Sequence, residues 1–187
     1  MESNDHLRQG YKQTTVGVIP ENWLVQRMQD VTTKIVDGVH HKPDYTPSGV
    51  PFLTVRSLTA GPGINLDNCS FISASDHRDF VKRADPRAGD VLVTKDGTLG
   101  VSRIMPCGLP EVSIFVSVAL LRPNPNQITS EFIHYFFESG EYETQLGALS
   151  AGTGLQHIHL AHFREFQLRV PPLREQRAIA DALSDAD

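Results

Sequence analysis

The stretch FQLRVPPLREQRAIADAL, residues 166–183, decides how the C-terminal part of this chain folds. Residues 166–170 have the composition of a strand, and the two prolines after them cannot donate to a β-ladder, so the strand ends there. A helix begins directly afterwards, with Pro172 suited to its first turn. The apolar side of that helix consists of Leu173, Ile179 and Leu183. Since the chain stops at Asp187, we expect this helix to be the truncated start of a longer one.

Upstream of this stretch, the pattern predicts strands first and helices later. Aromatic and aliphatic residues recur at helical spacing after Ser130, which predicts an amphipathic helix over residues 130–139. Further helices are predicted at 75–83, where Ser75 caps the start, and at 141–149, with a short turn of helix at 160–164 and a short helix or turn at 30–36. Strands are predicted at 23–28, 52–55, 70–73, 91–94, 98–105 and 113–121. Asp96 and Gly97 form a typical hairpin turn between two of them.

Strands that precede helices without regular alternation indicate the α+β class. We expect a twisted mixed or antiparallel sheet with flanking helices, followed by the start of a long C-terminal helix. The predicted organisation is a flexible lead-in over residues 1–18, one domain over 19–171 and the helix over 172–187. The sequence contains no internal repeat.

Charge is distributed unevenly along the 187 residues. The whole chain carries 17 Lys and Arg against 22 Asp and Glu, a net charge of −5. Residues 131–187 contain 4 of these basic and 9 of these acidic residues, which accounts for the whole excess. The first 130 residues are therefore neutral and able to present a local basic face, as a nucleic-acid-binding domain requires.

The chain lacks the signals of export and of membrane insertion. Its N-terminus has no basic segment followed by an apolar one, and its longest apolar run, residues 112–121, is too short to span a bilayer. The two cysteines, Cys69 and Cys107, do not make a disulfide framework. We expect a cytoplasmic protein with free thiols.

Three segments in a fixed order resemble the specificity subunits of type I restriction-modification systems. The segment IPENW at residues 19–23 resembles the lead-in to their target recognition domain. GDVLVT at 89–94, followed by GTLG at 97–100, resembles the central signature of that domain. The prolines, Glu175, Gln176 and the aliphatic positions after them resemble the entry to the conserved helix of these subunits.

The resemblance implies a target recognition domain, or a half-sized specificity subunit, that reads one half of a bipartite DNA sequence. The implied partners are double-stranded DNA, the methyltransferase (modification) subunits and the restriction subunit. A second recognition domain or a homodimer is implied through the C-terminal helix. The residues expected to pack against a partner helix are Ile179, Ala182 and Leu183.

Candidate DNA contacts lie in the predicted loops, where binding residues concentrate. Arg and Lys suit guanine or phosphate, whereas Asn and Gln suit adenine. The candidates are His41, Lys42, Tyr45, Arg56, Lys95, Arg103, Thr153 and Gln156. We expect Lys95 at an exposed tip, because the turn at Asp96 and Gly97 follows it directly. The alternative for each of them is a solvated surface side chain.

The loop GTGLQ at residues 152–156 lacks the spacing and the lysine of a Walker motif, so we interpret it as a loop near a DNA backbone. The segment HIHLAH at 157–162 has histidine spacing that suits a metal, but no carboxylate signature accompanies it. We predict no metal and no cofactor. A GxSxG elbow, an HExxH motif and a methyltransferase motif are all absent from the sequence, which indicates a non-catalytic chain.

Two alternatives to DNA recognition stay open from the sequence. One is a small metal-dependent hydrolase that uses His157, His159 and His162. The other is a protein-interaction module whose terminal helix docks a partner without contacting DNA. Bound zinc would favour the first, and partner binding that survives substitution of the candidate cations would favour the second.

Overall fold

A computed structural model describes residues 8–67, 69–150 and 156–184. Its strands are β1 (Tyr11–Thr14), β2 (Gly17–Pro20), β3 (Leu24–Arg27), β4 (Thr32–Asp37), β5 (Val50–Leu53), β6 (Ser70–Ile72), β7 (Val91–Thr94), β8 (Ser102–Ile104), β9 (Ser113–Ile114), β10 (Val118–Pro123) and β11 (Gln167–Val170). Its helices are α1 (Met28–Val31), α2 (Val55–Thr59), α3 (Ala74–Phe80), α4 (Ser130–Phe137), α5 (Gly140–Ser150), α6 (Leu160–Glu165) and α7 (Leu173–Ser184). The predicted α+β class is confirmed.

A four-stranded antiparallel sheet with the order β4-β10-β7-β8 lies at the centre of the fold. Every side chain of β7 is buried, and so are the first four of β10. Both strands consist largely of Val and Leu, which suit a sheet covered on both faces. The hairpin predicted between residues 91–94 and 98–105 is present, because β7 pairs with β8.

Three smaller sheets surround the central one. Strand β5 pairs with β6 antiparallel and with β9 parallel, so the architecture is mixed, as predicted. Strand β11 pairs with β3, and β1 pairs with β2. The hairpin of β1 and β2 lies within residues that the sequence predicted to be a loose lead-in up to residue 18. The side chains of β1 alternate between exposed and half-buried positions, and β2 buries Ile19, so the apolar signal of the hairpin is weak.

Two predicted elements differ from those in the structure. The run at residues 113–121, predicted as one central strand, divides into β9 and β10, which belong to different sheets. A turn separates them, in which the Val118 amide donates to the Phe115 carbonyl at 2.9 Å. A run of apolar residues predicts that the segment is buried, but it does not predict the turn between β9 and β10. Residues 30–36, predicted as a helix or turn, are mostly strand β4.

The main core lies between the central sheet and helices α4, α5 and α6. Helix α4 buries Ile133, Phe136 and Phe137, as its helical spacing predicts. Tyr142 of α5 packs edge-on against Phe137, with ring centroids 5.0 Å apart. Phe163 and Phe166 complete this aromatic group. Edge-to-face aromatic pairs add about 0.5–1.5 kcal/mol beyond the burial of their area.

An ionic cluster stabilises the turn that precedes β7. This Lys34 cluster consists of Lys34, Asp85, Arg87, Asp90 and Arg122. Arg122 donates to both oxygens of the buried Asp90 carboxylate at 2.8 Å, in the bidentate geometry that makes such pairs strong. Burial acts to raise the pKa of Asp85, but Lys34, Arg122 and Arg87 together lower it to about 2.

Asp90 belongs to the GDVLVT segment singled out in the sequence. Its carboxylate also accepts the Arg87 amide at 2.8 Å, which closes the turn before β7. The aspartate of this segment is therefore a structural residue in this fold. Among the described residues, no helix is long and apolar enough to cross a membrane.

Candidate nucleic-acid interface

Three segments of the chain meet at one end of the central sheet. Residue Asp37 ends β4 and pairs with Ala119, while Thr94 ends β7 and pairs with Val118. Because β10 runs antiparallel to both neighbours, the loops after β4 and β7 leave the sheet on the same side. The third segment joins through backbone bonds: the Gly97 amide donates to the Gln156 carbonyl at 3.1 Å. We call residues 37–45, 95–100 and 156–162 the loop end.

Lys95 lies inside the loop end and not at an exposed tip, so this part of the sequence prediction is wrong. Its side chain is 2% exposed, with Nζ 3.5 Å from Oδ2 of Asp37 and 3.3 Å from Nε2 of His157. Its backbone is held on both sides, by the Ser117 carbonyl and the Ile158 amide. The sequence concealed this burial because Asp37 lies far from Lys95 along the chain.

The carboxylate of Asp37 has polar partners on three sides. It is 3% exposed and contacts Lys95, Arg83 and the Nε2 atom of His40. Arg83 also donates from Nε to the carbonyls of Asp37 and Gly38, each at 3.1 Å. Burial acts to raise the pKa of Asp37, but hydrogen bonds from Arg83 and His40, with the Arg83 and Lys95 charges, lower it overall. We call Asp37, His40, Arg83, Lys95, Asp96 and His157 the Asp37 cluster.

The imidazole rings of the three histidines in the HIHLAH segment form a row in which each ring contacts the next. The ring centroids of His157 and His159 are 4.5 Å apart, and those of His159 and His162 are 5.4 Å apart, both edge to face. Nδ1 of His157 contacts Oδ1 of Asp96. Burial and the two neighbouring imidazoles lower the pKa of His162. In the described ranges, no three His, Cys, Asp or Glu side chains converge in a way that would hold a metal ion.

Exposed side chains surround the Asp37 cluster. Lys42 places Nζ 5.4 Å from the ring centroid of Tyr45, which is 46% exposed. His41 is exposed and packs edge-on against Phe80 at 5.3 Å. Gln156 is exposed beside His157. The structure thus brings four predicted residues to one end of the sheet: His41, Lys42, Tyr45 and Gln156.

The two predicted arginines lie elsewhere. Arg56 is an exposed residue of α2 and not part of a strand end, and it lines a small pocket of about 100 Å³ with Asn65 and Cys69. Arg103 is on β8, where it donates to the Ser102 and Gly61 carbonyls at 2.8 Å each. Within the described residues, neither arginine contacts the loop end. Thr153 falls outside the described residues.

Sequence reasoning missed Arg83 and Asp37. Arg83 follows helix α3 and gives no local signal, since a lone arginine after a helix is ordinary. Asp37 precedes Gly38, which the sequence marks only as a turn. Their role depends on contacts between residues 46 positions apart, which no local pattern contains.

The C-terminal helix α7 packs against α4 and leaves one side open. Ile179 is half-buried, whereas Ala182 and Leu183 are exposed, Leu183 to 41%. Ile179 and Leu183 line an apolar groove of about 250 Å³ with Trp23 and Tyr135. All three residues predicted to meet a partner helix are therefore at least partly accessible.

The Glu175 and Gln176 pair of the family-like segment has a clear structural role. Gln176 is fully buried and donates to the Gln127 and Pro171 carbonyls at 2.8 and 2.9 Å, while its Oε1 accepts the Thr129 amide at 3.0 Å. Glu175 accepts the indole N–H of Trp23 at 2.8 Å. A buried amide that satisfies its bonds in this way fixes the start of α7.

Solved structures with the same fold are specificity subunits. The HsdS subunit from Thermoanaerobacter tengcongensis superposes with a TM-score of 0.65 at 20% identity, over 94% of this chain and 40% of that one. The S subunit of a type I restriction-modification system from M. genitalium gives a TM-score of 0.58 at 18% identity, over 87% and 38%. These matches establish the fold.

The sequence comparisons establish the family. Residues 20–187 match the model of the type I restriction modification DNA specificity domain, and the chain belongs to this family. It is 28% identical over 176 residues to the type I restriction enzyme EcoKI specificity subunit of Escherichia coli K12, covering 90% of this chain and 37% of the relative. It is 22% identical over 183 residues to the MjaVIII specificity subunit of Methanocaldococcus jannaschii, covering 95% and 42%.

The chain spans about two fifths of the length of the curated relatives it matches. Specificity subunits are the non-catalytic components of type I restriction-modification systems, in agreement with the prediction of a non-catalytic chain.

Proposed function

We propose that this chain is a target recognition domain that reads one half of a bipartite DNA sequence with its loop end. The observation that carries the proposal is the convergence of three segments on the Asp37 cluster. Around this buried cluster, four groups are exposed: a cation, an imidazole, an aromatic ring and a side-chain amide. Phosphates need only positive charge, whereas base edges need directed donors and acceptors, and this set contains both.

Each exposed side chain has a distinct proposed role. Gln156 suits the bidentate pairing with adenine N6 and N7, and Lys42 suits guanine or a phosphate. His41 donates to a phosphate or a base edge, and Tyr45 offers an apolar face to a thymine methyl group. Arg56 extends the contact from α2. Lys95 supports the surface from inside, since its ammonium group bonds within the protein. Contacts from Arg103, whose guanidinium bonds the Ser102 and Gly61 carbonyls, and from Thr153 stay predictions.

The open side of α7 is the proposed docking surface for the other subunits. Ile179, Ala182 and Leu183 present small and aliphatic side chains, which suit close packing between helices. The proposed occupants are methyltransferase subunits, with the restriction subunit held through them, and a second recognition domain or a second copy of this chain. Such a complex acts on DNA, so the cytoplasm is its expected compartment.

Selection from a randomised duplex pool tests the proposed function, with this chain bound to its cognate methyltransferase subunit. The expected result is enrichment of a short defined half-site, with weaker selection by Lys42→Ala and Gln156→Ala. The logarithm of the binding constant should fall with the logarithm of salt concentration, with a slope of about −0.9 for each phosphate contact.

Lys12→Ala is a matched control for the Lys42 substitution. Lys12 lies on the N-terminal hairpin, where Nζ donates to the Glu21 carbonyl, and its removal should change neither the half-site nor the salt slope. A folded, methyltransferase-bound chain that enriches no sequence would refute DNA reading. That result would favour the protein-interaction module, whose binding would survive substitution of Lys42 and Arg56.

A further inference from the structure

We propose that Lys95 is a positioning residue for DNA reading. It lies beneath the side chains that read the bases, fixes their relative positions and does not contact DNA. The inference rests on the proposed function of the loop end. Lys95 is the point at which all three segments of that surface connect. Its ammonium group contacts Asp37 and His157, and its backbone pairs with Ser117 and Ile158.

The bonds around Lys95 have a fixed direction. An ammonium group only donates, so Nε2 of His157 must accept from it. The proton of that imidazole then lies on Nδ1, from which it donates to Asp96. The resulting series runs from Lys95 to Asp37 on one side, and from Lys95 through His157 to Asp96 on the other.

This series joins the two halves of the proposed reading surface. Beyond Asp37, Arg83 bonds the Asp37 carboxylate, the Gly38 carbonyl and Nε2 of His40, which directly precedes His41 and Lys42. His157 directly follows Gln156, whose carbonyl accepts the Gly97 amide. The groups proposed to read guanine and adenine are thus connected through Lys95, and selectivity between base pairs depends on holding such groups within a fraction of an ångström.

The burial of Lys95 favours a positioning role over direct contact with a phosphate. The Lys95 side chain is 2% exposed, so a phosphate reaches Nζ only if the ion pair with Asp37 is opened. Leaving Asp37 buried with fewer cations around it is costly, which keeps Lys95 in place when DNA binds. Lys95 therefore neutralises no phosphate and releases no counterion from an arriving duplex.

Salt dependence distinguishes a positioning lysine from a contacting one. The experiment uses the chain bound to its cognate methyltransferase subunit, the half-site duplex enriched from the randomised pool, and a scrambled duplex. Lys95→Met keeps an unbranched side chain that is one atom shorter, and it removes the charge. We expect its discrimination between the two duplexes to fall at least tenfold while its salt slope stays that of the unsubstituted chain. Lys42→Ala should instead reduce the magnitude of that slope by about 0.9.

Two results would overturn the inference. A fall of about 0.9 in the slope of the Lys95→Met chain would show that Lys95 contacts a phosphate. Full discrimination by a folded Lys95→Met chain would show that Lys95 positions nothing. Thermal unfolding shows whether the variant is folded. If Lys95 had a purely structural role, its substitution would lower the thermal stability, but the folded fraction would still discriminate between the two duplexes.

A second variant decides the matter where Lys95→Met does not fold. His157→Leu breaks the same series at a half-exposed residue and leaves Asp37 its ion pairs with Lys95 and Arg83. It should lose discrimination at an unchanged salt slope, and retained discrimination would refute the inference. If the unsubstituted chain selects no sequence and binds no duplex in a salt-dependent way, the proposed function itself is refuted. The inference about Lys95 is refuted separately, by variants of a chain that does select a sequence.

Discussion

Strand β4 contributes to two ionic clusters, one around Lys34 and one around Asp37 at the end of the strand, and the two clusters are built differently. The Lys34 cluster joins side chains of β4 and β10 to the turn before β7, and its carboxylates are paired with Lys and Arg alone. The Asp37 cluster joins loops, and two of its members are histidines. Buried charge fixes the framework in the first cluster and the relative position of loops in the second. Substitutions in the first should therefore change stability, and substitutions in the second should change DNA reading.

Gly38→Ala should have the largest effect, and it should act on stability, because Gly38 lies directly against the backbone of β9 and is a member of neither cluster. A Cβ atom at Gly38 would overlap the backbone carbonyl of Ile114, which cannot move away as a flexible side chain would. We expect a loss of more than about 4 kcal/mol in the free energy of unfolding, measured from the urea midpoint. Gly63→Ala is the control, because a Cβ there has no atom within 4 Å, and it should change stability by less than about 0.5 kcal/mol.

Arg122→Leu should lower the free energy of unfolding by roughly 3 kcal/mol, because it leaves the buried Asp90 carboxylate without its bidentate partner. The folded fraction should still select the unaltered half-site in the duplex experiment. Lys82→Ala, which breaks an exposed pair with Asp79, should leave the urea midpoint nearly unchanged. An altered half-site in the Arg122→Leu chain would contradict the separation between framework and reading surface.

Acid should weaken the Lys34 cluster through Asp85. Its pKa is lowered from 3.8 to about 2 in the folded chain, so the folded state favours the charged form. The resulting stabilisation is fully present above the unfolded pKa and is lost as the pH falls from about 4 to about 2. Urea unfolding at a series of pH values should show this decline, and Asp85→Asn should make it shallower. An equally steep decline in the Asp85→Asn chain would assign the acid sensitivity to other carboxylates.

Tyr142→Phe should have the smallest effect. The Tyr142 hydroxyl is buried and has no hydrogen-bond partner within the described residues, and burial raises its pKa to about 12. The ring packs below Gly100, at the base of the loop that carries Asp96. Removing an unpaired buried hydroxyl should leave the free energy of unfolding unchanged or raise it by up to about 1 kcal/mol, and thermal unfolding measures this change. A clear loss of stability would show that the hydroxyl has a partner.

Local patterns predicted the elements whose signals are contained in adjacent residues. The hairpin of β7 and β8, helix α4 and the sequence from β11 through two prolines to α7 follow from alternation, helical spacing and proline chemistry. The division of residues 113–121 between two sheets did not, because either arrangement buries the same side chains. The hairpin of β1 and β2 was not predicted because β1 is largely polar and the apolar run in β2 is short.

The candidate site was predicted less completely than the fold. Four side chains expected near DNA do gather at the loop end, because loops carry exposed polar groups. The burial of Lys95 depends on Asp37, and the anchoring of Asp37 depends on Arg83, so both follow from pairings between distant segments. A sequence read locally identifies which groups are chemically suited to DNA, but tertiary contacts decide which of them remain available.

The pairing of β3 with β11 has a consequence for synthesis on the ribosome. Arg27 lies opposite Gln167, and Trp23 bonds Glu175, which is 152 positions further along the chain. At about 5–20 residues per second, β3 waits on the order of 10–30 s before its partner strand exists. Leu24 and Val25 are without that partner throughout this interval. Until residues 167–170 have been made, β3 therefore stays accessible to chaperones and proteases, because no other strand pairs with it among the described residues.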